Sequence, residues 1–426
     1  MTFTATREDG PLYPSAKRPF HGWIMVWAAF LVMMVGFGVA YSFSAFFDAL
    51  ATEFGGDRGA TSRIFGIAGF LYFFLGAWSG PAGDRIGAAP VTIFGSIFTA
   101  AGLFLAARAG TLEQVYWAYG IGVGIGVGCM YVPAVGVVQR WFAVKRATAS
   151  GVAIMGIGVG TFIAPHAGAF LIDLGGWRLA YDVMAVAVLV IGGGAGLLLR
   201  NSPESRGQFP DGADGPPQGA NSGPSLTRGE AARTLPFWMI LTGALLVSIG
   251  LFVPFVHIAK FAEDVGLNEA QGFWVISAIG IGSILGRIAL GPVAQRVGRQ
   301  PVTTALYIGI ALSLAGWNFS TMFWQLLLFG VVFGTLYGGF VALAPTLLSD
   351  YFGVGHVGSV IGVVYASVGV GALIGPAVAG DLYDLYRSYE FPILIGSGLC
   401  LIAAVCVMLP SSPVDWRNRR FGTQHR

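Results

Sequence analysis

Arg287 is the residue from which the chemistry of this chain can be read. It stands in Phe273 to Pro301, FWVISAIGIGSILGRIALGPVAQRVGRQP, as the one charged residue well inside an apolar run. An arginine in hydrocarbon costs on the order of 3 kcal/mol by insertion scales, so one that persists there normally lines a water-filled cavity and meets an anion. Its guanidinium keeps its proton and offers two parallel N–H donors, which matches the geometry of a carboxylate. The competing reading is an arginine that snorkels to the interface. Arg287 lies six residues before the expected end of its span at 293, about 9 Å at 1.5 Å per residue, near the limit of that reach.

Four further groups could share this chemistry. His257, on the outer half of another apolar run and just before Lys260, can donate to an anion or take up a coupling proton, because imidazole titrates near neutrality. A satisfied hydrogen bond between helices is its plain alternative. Tyr131, Tyr337 and Tyr41 each interrupt a glycine-rich apolar run at mid-depth, where a buried hydroxyl needs a partner. They are candidate substrate-lining groups, weighed against aromatic packing on glycine faces. Phe333 and Tyr365 are candidates of the same kind. His166, after Pro165, reads as an interhelical hydrogen bond, and Asp182, one turn after Arg178, as a local surface pair.

Such side chains require a membrane scaffold, and the composition supplies one. The 426 residues are 55% hydrophobic and 11% charged, with a mean hydropathy of +0.71, whereas soluble proteins carry about a quarter charged residues. Stretches of about 18 to 26 mostly apolar residues, each able to cross about 30 Å of hydrocarbon, fall at 22–47, 62–81, 90–107, 114–138, 147–172 and 178–199. They resume at 237–259, 271–293, 301–320, 323–348, 357–380 and 389–409. The first is longer than a signal-peptide core and is read as a retained span. Residues 201–234, rich in Pro, Gly, Asp and Ser, cannot bury a core and read as a flexible linker. The sequence therefore predicts an all-α membrane protein of twelve transmembrane helices in two pseudo-symmetric six-helix bundles. A cytoplasmic tail occupies 1–21, the bundles 22–200 and 235–409, the linker 201–234 and a second cytoplasmic tail 410–426.

The two bundles repeat. Gly80-Pro81 with Arg85-Ile86-Gly87 matches Gly291-Pro292 with Arg296-Val297-Gly298, 211 residues later. The same register relates Gly151, Gly158, Gly160 and Pro165 to Gly362, Gly369, Gly371 and Pro376, and Glu53-Phe54-Gly55 to Asp264-Val265-Gly266. Six spans per unit give a parallel repeat, and two facing bundles are what alternating access needs. With both termini inside, 17 of the 24 Lys+Arg fall on the inner side, so the positive-inside rule places both ends in the cytoplasm of a multi-pass cell-membrane protein.

Several function classes are excluded. The basic residues lie in short loops, so nucleic-acid binding has no support. Cys129, Cys400 and Cys406 all fall in apolar runs, which argues against a disulfide framework, and no Cys/His spacing suggests a metal or cofactor. The glycine runs 120–128 and 156–160 lack a preceding strand and an acid partner, so they are small-residue faces for close helix contact, not nucleotide loops. No nucleophile, base and acid cluster as an enzyme would require.

With these residues assembled, the chain resembles the major facilitator superfamily over nearly its whole length. Gly80-Pro81-Ala82-Gly83-Asp84-Arg85-Ile86-Gly87 looks like the signature loop between spans two and three, and Gly291 to Gly298 like its weaker copy. The resemblance gives Asp84, Arg85 and Arg296 a gating role, although Gln295 stands where Asp84 would repeat. Within the superfamily the chain is most similar to the monocarboxylate transporters and the oxalate/formate antiporters. His21-Gly22-Trp23, Tyr131-Val132-Pro133, Trp141-Phe142, Lys145 to Gly151, Val253-Pro254-Phe255-Val256-His257 and Arg287 carry that likeness. The animal transporters have an acid four residues before the arginine and a lysine in the first span. Here Ser283 stands at the first place, and no lysine occurs in the first span. The oxalate branch has a lysine in span eleven, and 362–380 contains none.

The resemblance and the residues together imply a monomeric secondary active transporter for a small monocarboxylate of the lactate or pyruvate kind. One fixed cation suits one carboxylate. Alternating access with proton symport follows from the resemblance, and organic-anion exchange is the alternative. A drug-efflux antiporter would show a deep membrane carboxylate, which is missing. A transporter-like sensor would need a soluble domain, for which the 17 residues from Pro410 leave little room.

Overall fold

A computed structural model describes residues 19–213, 215, 225–353 and 356–421. The N-terminal half holds α1 (Gly22–Phe54), α2 (Arg58–Ile86), α3 (Ala88–Ala106), α4 (Leu112–Trp141), α5 (146–174) and α6 (177–198). The C-terminal half holds α7 (Leu235–Asp264), α8 (Glu269–Val297), α9 (Arg299–Asn318), α10 (Phe323–Phe352), α11 (Val357–Tyr386) and α12 (Glu390–Met408). No strand occurs among the described residues.

Ten stretches are long and apolar enough to cross a membrane. Twelve helices result for two reasons. Thr148–Leu198 turns at Gly175 and Gly176, the latter at φ 82°, a left-handed conformation that suits glycine. The helix α9 begins with Arg299, Gln300, Thr303 and Thr304, which lower its hydropathy, yet it packs against α10 and α12.

Helices outrun the apolar windows because a helix stops at its caps, not at the hydrocarbon boundary. Asp57 accepts from the Ala60 N–H to start α2, and Asn268 and Gln271 cap α8 reciprocally, as side-chain acceptors do for orphan N–H groups. Gly87 and Gly298, 211 residues apart, end α2 and α8 at φ 104° and 105°. The repeat extends to the first helix of each half. Ser42 interrupts α1 at φ −81°, ψ −3°, and Phe252 interrupts α7 at φ −88°, ψ −11° just before Pro254, whose ring removes a helix donor.

The halves meet along α2 against α11 and α5 against α8. Gly158 and Gly280 face each other on the second seam. A Cβ on Gly158 would lie 2.8 Å from the Gly280 carbonyl oxygen, and one on Gly280 would lie 2.7 Å from that of Gly158, so only glycine allows this approach.

The linker and tail are less free than the sequence implies. Asp211 accepts backbone N–H bonds from Ala143, Val144 and Lys145 at 2.8, 2.7 and 3.1 Å. Leu226 is buried and donates its N–H to the Phe352 carbonyl. Residues 214 and 216–224 of the linker, and 1–18 and 422–426 of the tails, lie outside the described residues. After α12 a short helix, Pro413–Phe421, lays Trp416 against Tyr351 and Phe352.

Candidate functional site

At the level of the breaks in α1 and α7, both halves border a narrow slot. Tyr41 at the end of the first segment of α1, Tyr131 on α4 and Tyr337 on α10 line it, as does Tyr365 on α11. Phe333 does not line it. That ring is buried, stacked on Phe329 at 5.3 Å. The Tyr41 and Tyr337 hydroxyls bond each other at 2.9 Å across the two halves. Phe255 braces them, stacked on Tyr41 at 4.5 Å and edge-on to Tyr337 at 5.2 Å.

Arg287 sits behind Tyr337, its guanidinium carbon 5.8 Å from that ring's centre. The residue is 7% exposed. Its Nη1 donates to the Ser283 carbonyl at 3.1 Å and to the Ser283 hydroxyl, while Nε and Nη2 have no partner. Among the described residues no carboxylate pairs with it; tyrosines 337, 131 and 41 are its polar neighbours. The side chain does not snorkel: it folds back one turn towards Ser283, away from the linker end of α8. A buried cation with two idle donors is a costly arrangement in hydrocarbon, which an acceptor of opposite charge would relieve.

His257 does not join this group. It is fully buried in the second segment of α7. Its Nε2 lies 2.9 Å from the Pro376 carbonyl, which can only accept, so Nε2 donates there. Nδ1 accepts from the Tyr389 hydroxyl at 3.0 Å, and the Ser62 hydroxyl of α2 lies 3.1 Å from Nε2. Both nitrogens are therefore engaged, and the expected grouping of His257 with Arg287 is not found. The histidine belongs to a second cluster at the end of the molecule remote from the linker.

That cluster is an ionic seal between the halves, and sequence reasoning missed it. Arg58 at the start of α2 holds both Asp264 carboxylate oxygens at 2.7 and 2.8 Å, donates to the Tyr389 hydroxyl at 2.7 Å and lies 3.7 Å over the Tyr383 ring. Asp384 accepts the N–H groups of Arg58 and Gly59 at 3.2 and 2.9 Å. Arg63 meets Asp381 at 2.8 Å, and Lys260 pairs with Asp48. The visible signal was Asp381 and Asp384 one turn apart at the end of α11, opposite Arg58 and Arg63. Sequence position alone could not assign these arginines their partners.

At the linker end the ion pairs stay within each half. Asp84 meets Arg140 at 2.5 Å, α2 to α4. Arg299 meets Asp350, α9 to α10, so the C-terminal half keeps an ion pair although Gln295 replaces the acid of the loop. Arg85 and Arg296 are exposed and make no ion pair among the described residues. No ion pair crosses between the halves at this end among the described residues. Asp182 pairs with Arg108 at 2.6 Å, not with the nearby Arg178, which turns to Glu53. His166 Nδ1 lies 3.1 Å from the Ser277 hydroxyl across the α5–α8 seam. No group of three metal-ligating side chains occurs among the described residues.

Comparison with known proteins matches this architecture. The Major Facilitator Superfamily profile matches residues 26–322 and 248–425. Monocarboxylate transporter 12-B of Danio rerio is 27% identical over 424 residues, covering 93% of this chain and 88% of the relative. Monocarboxylate transporter 4 of Mus musculus is 25% identical over 412 residues, covering 95% and 86%. Among solved structures, a D-xylose-proton symporter superposes with a TM-score of 0.69 at 15% identity, covering 92% of this chain and 98% of the other. The nucleoside transporter NupG gives 0.67 at 16%, covering 90% and 99%.

Proposed function

The chain belongs to the Major Facilitator Superfamily, and from that premise we propose that it is a secondary carrier moving a small monocarboxylate by alternating access. One observation carries this reading. Arg287 is a buried cation with two unpartnered N–H donors beside a cavity shared by both halves. A carboxylate accepts both donors in parallel and cancels the charge that hydrocarbon penalises. Tyr41, Tyr131 and Tyr337 border the cargo, and the relatives named monocarboxylate transporters support the same class.

The basic linker end faces the cytoplasm by the positive-inside rule, which makes the ionic seal of Arg58, Arg63 and Lys260 the external gate. Breaking it and closing the linker end exposes the cavity outward. The Asp84–Arg140 pair, with Arg85 and Arg296 in the two matching loops, regulates the opposite movement. His257 acts in the external gate, since its three hydrogen-bond partners lie on α2, on α11 and at the residue that caps α12.

Proton symport is the coupling that the family resemblance implies. Anion exchange is the second reading, favoured by Ser283 and by the lack of a carboxylate partner for Arg287 among the described residues. The cargo itself then supplies charge balance. An unloaded carrier must move a bare cation through the closed state, whereas a loaded one moves a neutral pair.

Replacing Arg287 with Gln abolishes uptake of labelled lactate or pyruvate into vesicles while the protein remains in the membrane; undiminished uptake overturns the assignment. Uptake at two pH values, with and without counter-anion inside, separates the coupling modes: symport follows the imposed proton gradient, exchange follows the internal anion.

A further inference from the structure

We propose that the preferred cargo is an anionic acid bearing a flat aromatic group, with the carboxylate on Arg287 and the ring inserted into the central slot. The proposal rests on the carboxylate-carrier reading and refines it. Eight of the twelve side chains that bound the slot are aromatic, and the other four are aliphatic. No charged, amide or small hydroxyl side chain is among them. The polar part of a hydroxy acid thus finds only tyrosine hydroxyls, of which those of Tyr41 and Tyr337 already bond each other.

Several of the lining rings touch one another. Phe37 and Tyr131, from α1 and α4, meet edge-on at 5.4 Å. Phe73, Phe252 and Tyr365, from α2, α7 and α11, are joined by contacts of 5.7 and 5.9 Å. Ligand pockets have mostly apolar linings, as this slot does. A three-carbon acid leaves most of these ring faces without contact atoms and forfeits their dispersion attraction. A planar ring restores it through stacked and edge-to-face contacts. The lining holds no carboxylate to receive an ammonium, so an aromatic acid is preferred over the corresponding amino acid.

The test is ligand-induced thermal stabilisation of the full-length protein in lipid nanodiscs, titrated with phenylpyruvate, pyruvate and phenylalanine, on the native chain and on Arg287→Gln and Val341→Phe. Phenylpyruvate should stabilise the native protein at a concentration at least tenfold below that of pyruvate, with phenylalanine weaker than either. Arg287→Gln should lose both acids. Val341→Phe, which narrows the slot, should erase the advantage of phenylpyruvate over pyruvate. If pyruvate binds through Arg287 and phenylpyruvate binds no tighter, the ring proposal is overturned while the carrier reading stands. If neither acid stabilises the native protein, both fall.

Discussion

Glu53 and Asp264 occupy the same place in the two halves, at the ends of α1 and α7, and do different work. Glu53 stays at home, accepting from Trp177 Nε1 at 2.5 Å and pairing with Arg178 of α6. Asp264 reaches across to Arg58 of the other half. The same divergence recurs along the register. Arg287 corresponds to Gly76, and Asp84 to Gln295. What the halves share is backbone: the helix breaks at Ser42 and Phe252, the glycine ends at Gly87 and Gly298, and the glycine seams. Backbone geometry fixes these: Gly87 and Gly298 sit at φ 104° and 105°, and a Cβ on Gly158 or Gly280 would collide with the facing helix. Charges on the bundle ends and in the central space carry no such constraint. The N-terminal half has become the main donor of cations to the external seal, and the C-terminal half supplies most of its acids together with the lone membrane cation.

The sharpest break of this asymmetry is to move the cation. Arg287→Gln should lower transport at least a hundredfold, since two charge-assisted hydrogen bonds are each worth about 1.5–3 kcal/mol and about 1.4 kcal/mol is a factor of ten. Adding Gly76→Arg should not rescue it, because a Cβ at 76 already lies 3.1 Å from Val132 Cγ2. Rescue, measured as vesicle uptake, would mean that the halves are interchangeable. Next comes the pair of matched acids. Asp264→Asn removes a two-pronged, half-buried cross-half pair worth about 1.5–3 kcal/mol. It should speed external labelling of a Phe252→Cys variant by an impermeant maleimide about ten- to a hundredfold. Glu53→Gln should lower the melting temperature and leave that labelling rate unchanged; equal effects would erase the distinction.

Smaller effects are expected at the linker end. Asp84→Asn and Asp350→Asn each remove one partly exposed pair worth about 0–1 kcal/mol, so the transport rate should change by less than about fivefold in either case, with substrate affinity intact. The smallest effect concerns Asp211. Partial burial works to raise the pKa of its carboxyl, but the Val144, Ala143 and Lys145 N–H groups and the Lys145 charge outweigh it and hold the pKa below the usual carboxylate range. A depressed folded value contributes stability above the unfolded pKa of about 3.9, lost as pH falls through the folded one. Proteolysis of the linker should therefore accelerate only below that range, and Asp211→Asn should show the faster cleavage at neutral pH.

The sequence by itself determined the twelve spans, the 211-residue register and the isolation of Arg287, because hydrocarbon imposes length and apolarity on each helix separately and makes a lone charge conspicuous. It also brought out Tyr41, Tyr131 and Tyr337 as hydroxyls in need of partners. Only the tertiary structure decided which partners they have. The separation of His257 from Arg287, the pairing of Arg58 with Asp264 and the assembly of the slot's ring lining from six helices all depend on how helices far apart in the chain lie against one another. In a span apolar on every side, one-dimensional pattern distinguishes lipid-facing from cavity-facing positions poorly, since both favour the same residues. Packing alone separates them.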